Sequence, residues 1–263
     1  MLRDRLLTAA LGLPLLVFLV CCAPQWLFGV AVLTLTGIGL YEYFSLVGSY
    51  TRFSPGVELL WGLAVAASML SLNIAFTMAI LVFGLFVAFF MSLPEPQPTQ
   101  SLHGVSLSLL GIVYIGFLLP HLVWVRSGPD GVAWVFFIFL VAMVGDTAGY
   151  VVGRIWGRHK LIPHLSPGKT VEGSVGAVIG QLCAAGIAWV WFFPQRPPLE
   201  IFCLALVLGF VAQVGDLCES AVKRAFGAKD SGTLFPGHGG VLDRVDSLLF
   251  PGAFIYYYVV LWL

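Results

Sequence analysis

Residues 216–247 read DLCESAVKRAFGAKDSGTLFPGHGGVLDRVDS and concentrate charge in a chain that is otherwise apolar. The segment holds Lys223, Arg224, Lys229 and Arg244, four of thirteen basic residues, and Asp216, Glu219, Asp230, Asp243 and Asp246, five of thirteen acidic ones. Gly237, Gly239 and Gly240 surround His238, so the backbone there can approach a phosphate closely. Asp243 and Asp246 are three apart and share a face if a helix has begun. Magnesium usually takes one or two carboxylates and fills its remaining positions with substrate phosphates and water. Asp216 and Asp243 would supply that number. Basic groups, clustered carboxylates and glycine-rich turns are what a phosphate-plus-metal site requires.

A second polar segment, Arg154 to Thr170, reads RIWGRHKLIPHLSPGKT and leads into Val171-Glu172-Gly173. Ser166 suits an N-cap and Pro167 the first helical turn, so a helix is expected to open there. Lys169 and Thr170 would then project from a helix start whose free N–H groups favour an anion. The GKT here is not a phosphate-binding P-loop, because Pro163 stands where that motif needs its first glycine. Asp146, in VGDTAGY, is a further carboxylate within an apolar run, as Asp216 is in VGDLCES. Carboxylates inside membrane spans are costly, and they mark functional sites. Both are flanked by small residues that allow close helix approach. Glu42, between Tyr41 and Tyr43, reads instead as a simple interhelical hydrogen-bonding group.

The elements that position these groups follow from composition. The 263 residues are 59% hydrophobic and 10% charged, and mean hydropathy is +0.97. Soluble domains carry about 25% charged residues, so this is an integral membrane protein. Apolar runs at about 5–23, 26–47, 57–73, 74–91, 101–120, 131–153, 171–193, 199–217 and 248–263 are each long enough to cross roughly 30 Å of hydrocarbon. Continuous rather than alternating runs indicate helices. The expected fold is all-α: a polytopic membrane protein of about nine transmembrane helices with a cytoplasm-facing polar cavity. Met1 to Pro24 reads as an uncleaved signal-anchor helix.

With the N-terminus inside, eleven of the thirteen basic residues fall on the cytoplasmic side, leaving Arg126 and Arg196 outside. The two charged loops, 154–170 and 218–247, share that inner face. Residues 94–98, PEPQP, read as a connector. The whole of 1–263 is taken as one membrane domain, with 1–125 as lipid-facing scaffold helices and 126–263 as catalytic helices and loops. Five scattered cysteines with no CxxC pattern read as small core hydrophobes. Small residues on the seventh span, Gly176, Gly180, Ala184 and Ala185, are suited to close packing within or between protomers, which leaves a homodimer open.

At these residues the chain resembles a known family. Ser220-Ala-Val-Lys223-Arg224, Lys229-Asp230-Ser-Gly232 and Phe235-Pro236-Gly-His238-Gly239-Gly240-Val-Leu242-Asp243-Arg244-Val-Asp246 together are similar to the signature of phosphatidate cytidylyltransferases, or CDP-diacylglycerol synthases. Asp146-Thr147, Gly153-Arg154, Lys160-Leu161, Ser166-Pro167-Gly168-Lys169-Thr170 and Glu172-Gly173 resemble the family's other recurring segment. The motifs span roughly residues 145–247; the first five helices resemble the family only in hydropathy and length.

The resemblance implies that CTP and phosphatidate give CDP-diacylglycerol and pyrophosphate at the bacterial inner membrane, with membrane lipids as surroundings and no nucleic acid. It implies a catalytic set of Asp216, Lys223, Arg224, Lys229, Asp230, His238, Asp243, Arg244 and Asp246. Substrate binding would fall to Asp146, Ser166, Lys169, Thr170, Glu172, Ser220, Gly239 and Gly240. Asp216 and Asp243 would hold Mg2+, with Asp246 and Asp146 as further ligands or supporting groups. Lys223, Arg224, Lys229 and Arg244 would hold the triphosphate; Ser220 and His238 would hydrogen-bond. Lys169 would take either the lipid phosphate or the β/γ-phosphates. Two rival readings stay open. A transporter would place its binding groups at mid-membrane on broken helices, and a CTP-dependent lipid kinase would release CDP in place of pyrophosphate.

Overall fold

The computed structural model describes residues 12, 14–51, 53–232 and 239–262. Apart from a short hairpin, the architecture is helical. In chain order the helices are α1 (Gln25–Val47), α2 (Pro55–Met69), α3 (Ile74–Ser92) and α4 (Pro98–Gly111), the last continued by a π-helical turn, Ile112–Phe117. Then come α5 (His121–Ser127), α6 (Gly131–Trp156), the strands β1 (Lys160–Ile162) and β2 (Ser166–Thr170), α7 (Val171–Trp191), α8 (Pro198–Ala225) and α9 (Leu242–Trp262). Residues 14–21 are also helical.

Seven helical segments among the described residues are long and apolar enough to cross a membrane, with α4, the π turn and α5 counted as one run from Pro98 to Ser127. The protein is an integral membrane protein. The expected first span, 5–23, lies partly outside the described residues, and the expected span at 57–73 is the shorter α2. It stops early because Asn73 accepts the amide of Phe76 at 3.2 Å and so starts α3.

Other boundaries also differ from expectation. The helix carrying Asp216 runs on to Ala225, so Ser220, Lys223 and Arg224 are helical rather than loop residues. Ser166 and Pro167 do not open a helix. They lie in β2, antiparallel to β1, with Lys160 opposite Thr170 and Ile162 opposite Ser166. The N-cap is Thr170, whose Oγ1 accepts the amide of Gly173 at 3.1 Å. Lys169 is therefore a strand residue one position before the cap. The cysteines are not core residues either. All five are free; Cys21, Cys22, Cys183 and Cys203 are exposed and Cys218 is half-buried. In a chain that is apolar on every helix face, hydropathy alone cannot separate lipid-facing positions from buried ones.

Small residues set the closest helix crossing. Gly145, Gly149 and Gly153 recur every fourth position on α6, which aligns them on one face. A Cβ on Gly149 would stand 3.2 Å from both Ala177 Cβ and the Gly173 carbonyl oxygen, and one on Gly180 would stand 2.6 Å from Ala148 Cβ. Gly176, Gly180, Ala184 and Ala185 are buried within the chain. The α8–α9 crossing works in the same way. A Cβ on Gly215 would lie 2.6 Å from the Asp246 carbonyl oxygen, so the neighbouring Asp216 is carried to the start of α9. Tyr114, in the π turn, donates its hydroxyl proton to the Gly215 carbonyl at 3.0 Å and ties the N-terminal helices to that crossing.

Charges segregate to opposite ends of the bundle. Arg196 pairs with Glu200 at 3.1 Å and Asp130 at 3.7 Å, and Tyr258 donates to Glu200 at 2.7 Å. These groups lie at the starts of α6 and α8 and near the end of α9. Asp146, Asp216 and Asp246 lie toward the other end of the same helices. Replacing Gly149 with leucine should drive α6 and α7 apart at a cost of about 1–3 kcal/mol or more. Thermal unfolding of detergent-solubilised protein should show a clear fall in midpoint for Gly149→Leu. It should show none for Gly56→Ala, where a Cβ meets nothing within 4 Å.

Candidate active site

The ends of α6, α8 and α9, with β2 and the first turn of α7, enclose a cavity of about 910 Å³. Its wall carries four carboxylates, Asp146, Asp216, Asp243 and Asp246, and three basic side chains, Arg154, Lys169 and Arg244. Phe139, Ala142, Met143 and Leu248 form an apolar part of the same wall. One space thus offers fixed charges of both signs beside hydrocarbon.

Asp146, Asp216 and Asp246 come from three helices, and their like charges act on one another. Asp216 Oδ2 pairs with Lys169 Nζ at 2.8 Å, and its Oδ1 accepts the Ser220 hydroxyl at 3.4 Å. The hairpin explains how Lys169 arrives there. Its base is held by Glu172, which accepts the amides of Arg158 and His159 at 3.0 and 3.2 Å and contacts His159 Nδ1 at 2.6 Å. Asp246 is 8% exposed, and its Oδ1 accepts the Ser247 amide at 2.6 Å. Arg154 is steadied by Tyr150, whose hydroxyl accepts from Nη1 at 2.7 Å.

Asp243 is engaged differently. Its Oδ1 is 2.5 Å from Lys223 Nζ, while its Oδ2 accepts the Ser231 amide and hydroxyl at 2.9 Å each and the Gly240 amide at 2.8 Å. Lys223 also pairs with Glu219, which is 1% exposed. Lys223 therefore sits between two carboxylates, in a buried ion triad behind the cavity wall. Gly239 has a φ of 78°, a left-handed conformation that glycine adopts without steric cost.

The structure thus gathers Asp146, Ser166, Lys169, Thr170, Asp216, Asp243, Arg244 and Asp246 around one cavity. Lys223 and Ser220 stand behind that wall. Glu172 supports the hairpin. Arg224 donates to the carbonyls of Leu165 and Ala228, at 3.3 and 2.9 Å, rather than lining the cavity. Lys229 and Asp230 are exposed and also lie off its described wall. His238 lies outside the described residues. The sequence did not assign Arg154, Glu219, Ser231 or Glu42 to the site, although Arg154, Glu219 and Glu42 stand out in it as charged residues. Arg154 stands in the motif that carried the resemblance, one turn from Tyr150, and that spacing was the signal available for it.

Among the described residues, no group of three His, Cys, Asp or Glu side chains is placed so that it could hold a metal ion by itself. A magnesium site does not need one, since phosphates and water complete its octahedron. Asp216 and Asp246, with Asp146 beside them, are the acid groups of the wall that fit a hard divalent cation. Both oxygens of Asp243 are occupied by protein donors.

The sequence profile of the cytidylyltransferase family matches residues 3–262. The phosphatidate cytidylyltransferase of Synechocystis sp. is 32% identical over 99% of this chain and 97% of that protein. The phosphatidate cytidylyltransferase of Bacillus subtilis is 38% identical over 58% of this chain and 57% of that protein. That of Staphylococcus saprophyticus is 42% identical over 54% of each. The match spans about half the length of the staphylococcal and Bacillus relatives, and nearly all of the cyanobacterial one. A family match running from residue 3 to residue 262 takes in every helix that shapes the cavity: the chain belongs to the cytidylyltransferase family.

Proposed function

We propose that this protein transfers the cytidylyl group of CTP to phosphatidate, giving CDP-diacylglycerol and pyrophosphate. The observation that carries the reading is the cavity: Asp146, Asp216 and Asp246 face Lys169, Arg154 and Arg244 beside an apolar wall. The family, and the name of a relative aligned along almost the whole chain, are in keeping with it. A lipid phosphate and a nucleotide triphosphate are both polyanions, and one of them carries acyl chains. A space with cationic and hydrocarbon walls suits that pair.

In this reaction an oxygen of the lipid phosphate attacks the α-phosphorus of CTP, the bond from that phosphorus to the bridging oxygen breaks, and pyrophosphate departs. The attacking oxygen is already anionic, so the protein has no proton to remove from it. What remains is alignment and neutralisation of like charges. Lys169, Arg154 and Arg244 are assigned to the phosphates. Asp216 and Asp246, with Asp146 in support, are assigned to Mg2+. When bound, that ion supplies charge neutralisation between the phosphoryl oxygens. The Lys169–Asp216 contact keeps both groups paired until phosphates and a cation compete for them.

CTP is a cytosolic solute and phosphatidate a bilayer lipid. The site is therefore assigned to the cytoplasmic face of the bacterial inner membrane, with the N-terminus inside, in line with the distribution of basic residues. Residues 126–263 are assigned the chemistry, and the preceding helices hold them in place.

Lys223 is assigned a structural role, as the counter-charge of Glu219 and Asp243, rather than contact with the triphosphate. Lys223→Met would leave buried carboxylates uncompensated, at about 3–5 kcal/mol. Its unfolding midpoint should drop sharply, whereas Lys169→Met, at a more open position, should lose activity with little change in midpoint. Equal stability of the two variants would contradict this division.

The reaction is tested with purified protein, CTP, Mg2+ and phosphatidate, measuring pyrophosphate and CDP-lipid. Both products should form one to one and vanish with EDTA. Asp216→Asn and Asp246→Asn should lower turnover by more than about 100-fold, since even groups outside a metal's ligand shell are worth 10–100-fold. Sealed inside-out vesicles should use added CTP, and right-side-out vesicles should not. Release of CDP without pyrophosphate, or full turnover in either variant, would contradict the proposal.

A further inference from the structure

Glu42 lies far from the charged segments in sequence, on α1, yet it is 5% exposed and bound to the start of α9. Its Oε1 accepts the Val241 amide at 2.9 Å. Its Oε2 accepts the Leu242 amide at 2.9 Å and the Ser231 hydroxyl at 3.0 Å. The expected interhelical hydrogen bond is thus a bond to the entry of a helix and to the segment after α8. The first N–H groups of a helix have no partner within it and carry partial positive charge, so a carboxylate satisfies them well. The fit is close. A Cβ on Gly232 or Gly240 would fall inside van der Waals contact of the Glu42 carboxylate.

Ser231 joins this carboxylate to the cavity. Its hydroxyl lies 3.0 Å from Glu42 Oε2 and 2.9 Å from Asp243 Oδ2, and its amide donates to Asp243. One proton serves two acceptors, so Glu42 and Asp243 compete for it and are coupled through it. Gly240 links them again: its amide donates to Asp243, and its α-carbon packs on Glu42. Asp243, Arg244 and Asp246 occupy the first turns of α9, immediately after the two amides that Glu42 holds.

We infer that Glu42 is a positioning residue. By holding Ser231 and the first amides of α9, it sets the angle at which Asp243, Arg244 and Asp246 meet the cavity. This role rests on the proposed cytidylyl transfer, because it assigns Glu42 to aiming that site. A shift of about 1 Å in a reacting constellation can cost 100-fold in rate. Glutamine at position 42 retains one acceptor and turns an N–H donor toward an amide.

The test is Glu42→Gln in the full-length purified protein, followed by steady-state kinetics and by hydrogen–deuterium exchange. The expected result is a fall in kcat of about tenfold or more, a higher Mg2+ concentration at half-maximal rate and an unchanged KM for phosphatidate. Exchange should accelerate at Val241 and Leu242, with the other helices protected as in the wild type. A kcat within twofold of wild type would overturn the inference. So would uniformly faster exchange across all helices, which would make Glu42 a bundle-stabilising group only. If Glu42→Gln does not fold, Ser231→Ala decides: a smaller loss with the same local exchange change supports the role, and wild-type kinetics and exchange overturn it. Absence of CDP-lipid from the wild type would sink the functional reading, while the exchange comparison would still report whether Glu42 holds this segment.

Discussion

Charged groups within a mainly hydrocarbon bundle persist only where each finds a counter-charge or a set of hydrogen-bond donors, and this requirement organises the polar end of the protein. An unpaired carboxylate there would cost several kcal/mol. Lys169 meets Asp216, Lys223 lies between Glu219 and Asp243, and Glu42 rests on two amides and a hydroxyl. Apart from Glu219 with Lys223, which are one turn apart on α8, these partnerships join different elements. The same contacts that make the charges tolerable therefore also fix where the helices end and how they cross. Glycines on α6 and α8 make this possible by letting backbones approach until short acidic side chains share one space.

Asp146 and Asp246, which share the cavity with the paired Asp216, have no ion pair among the described residues. The three face one another across the cavity with less cationic cover than the buried triad has. Like charges gathered in a space that opens beside hydrocarbon favour a divalent cation, and the cationic groups opposite favour phosphates. A divalent cation carried with the nucleotide would meet the carboxylates, while the phosphates would meet Lys169, Arg154 and Arg244. The role proposed for Mg2+ rests on that charge balance.

The membrane class, the helical fold and the participation of Asp146, Lys169, Asp216, Arg244 and Asp246 in one wall were legible from hydropathy and from clustered charge. Helix ends were less so. Residues after Asp216 are polar enough to read as loop, yet α8 continues to Ala225 because Lys223 is neutralised by Glu219 one turn earlier and by Asp243 from α9. Ser166 and Pro167 have the chemistry of a helix start, but strand pairing with Lys160–Ile162 claims them and leaves the cap to Thr170. Glu42 was seen as an acid in a span, but its partners lie about 200 residues away and no local pattern could name them. Lys223 and Asp243 were both read as free to meet ligand. Their mutual pairing is a long-range fact that sequence spacing does not carry.

The central proposal is that Asp216 and Asp246, with Asp146 in support, would hold a divalent cation. Titration of the purified protein with Mn2+, followed by electron paramagnetic resonance, tests it without reliance on turnover. The account predicts a saturable bound-Mn2+ signal that Mg2+ displaces and that Asp216→Asn combined with Asp246→Asn removes from folded protein. Undiminished Mn2+ binding in that double variant would contradict it.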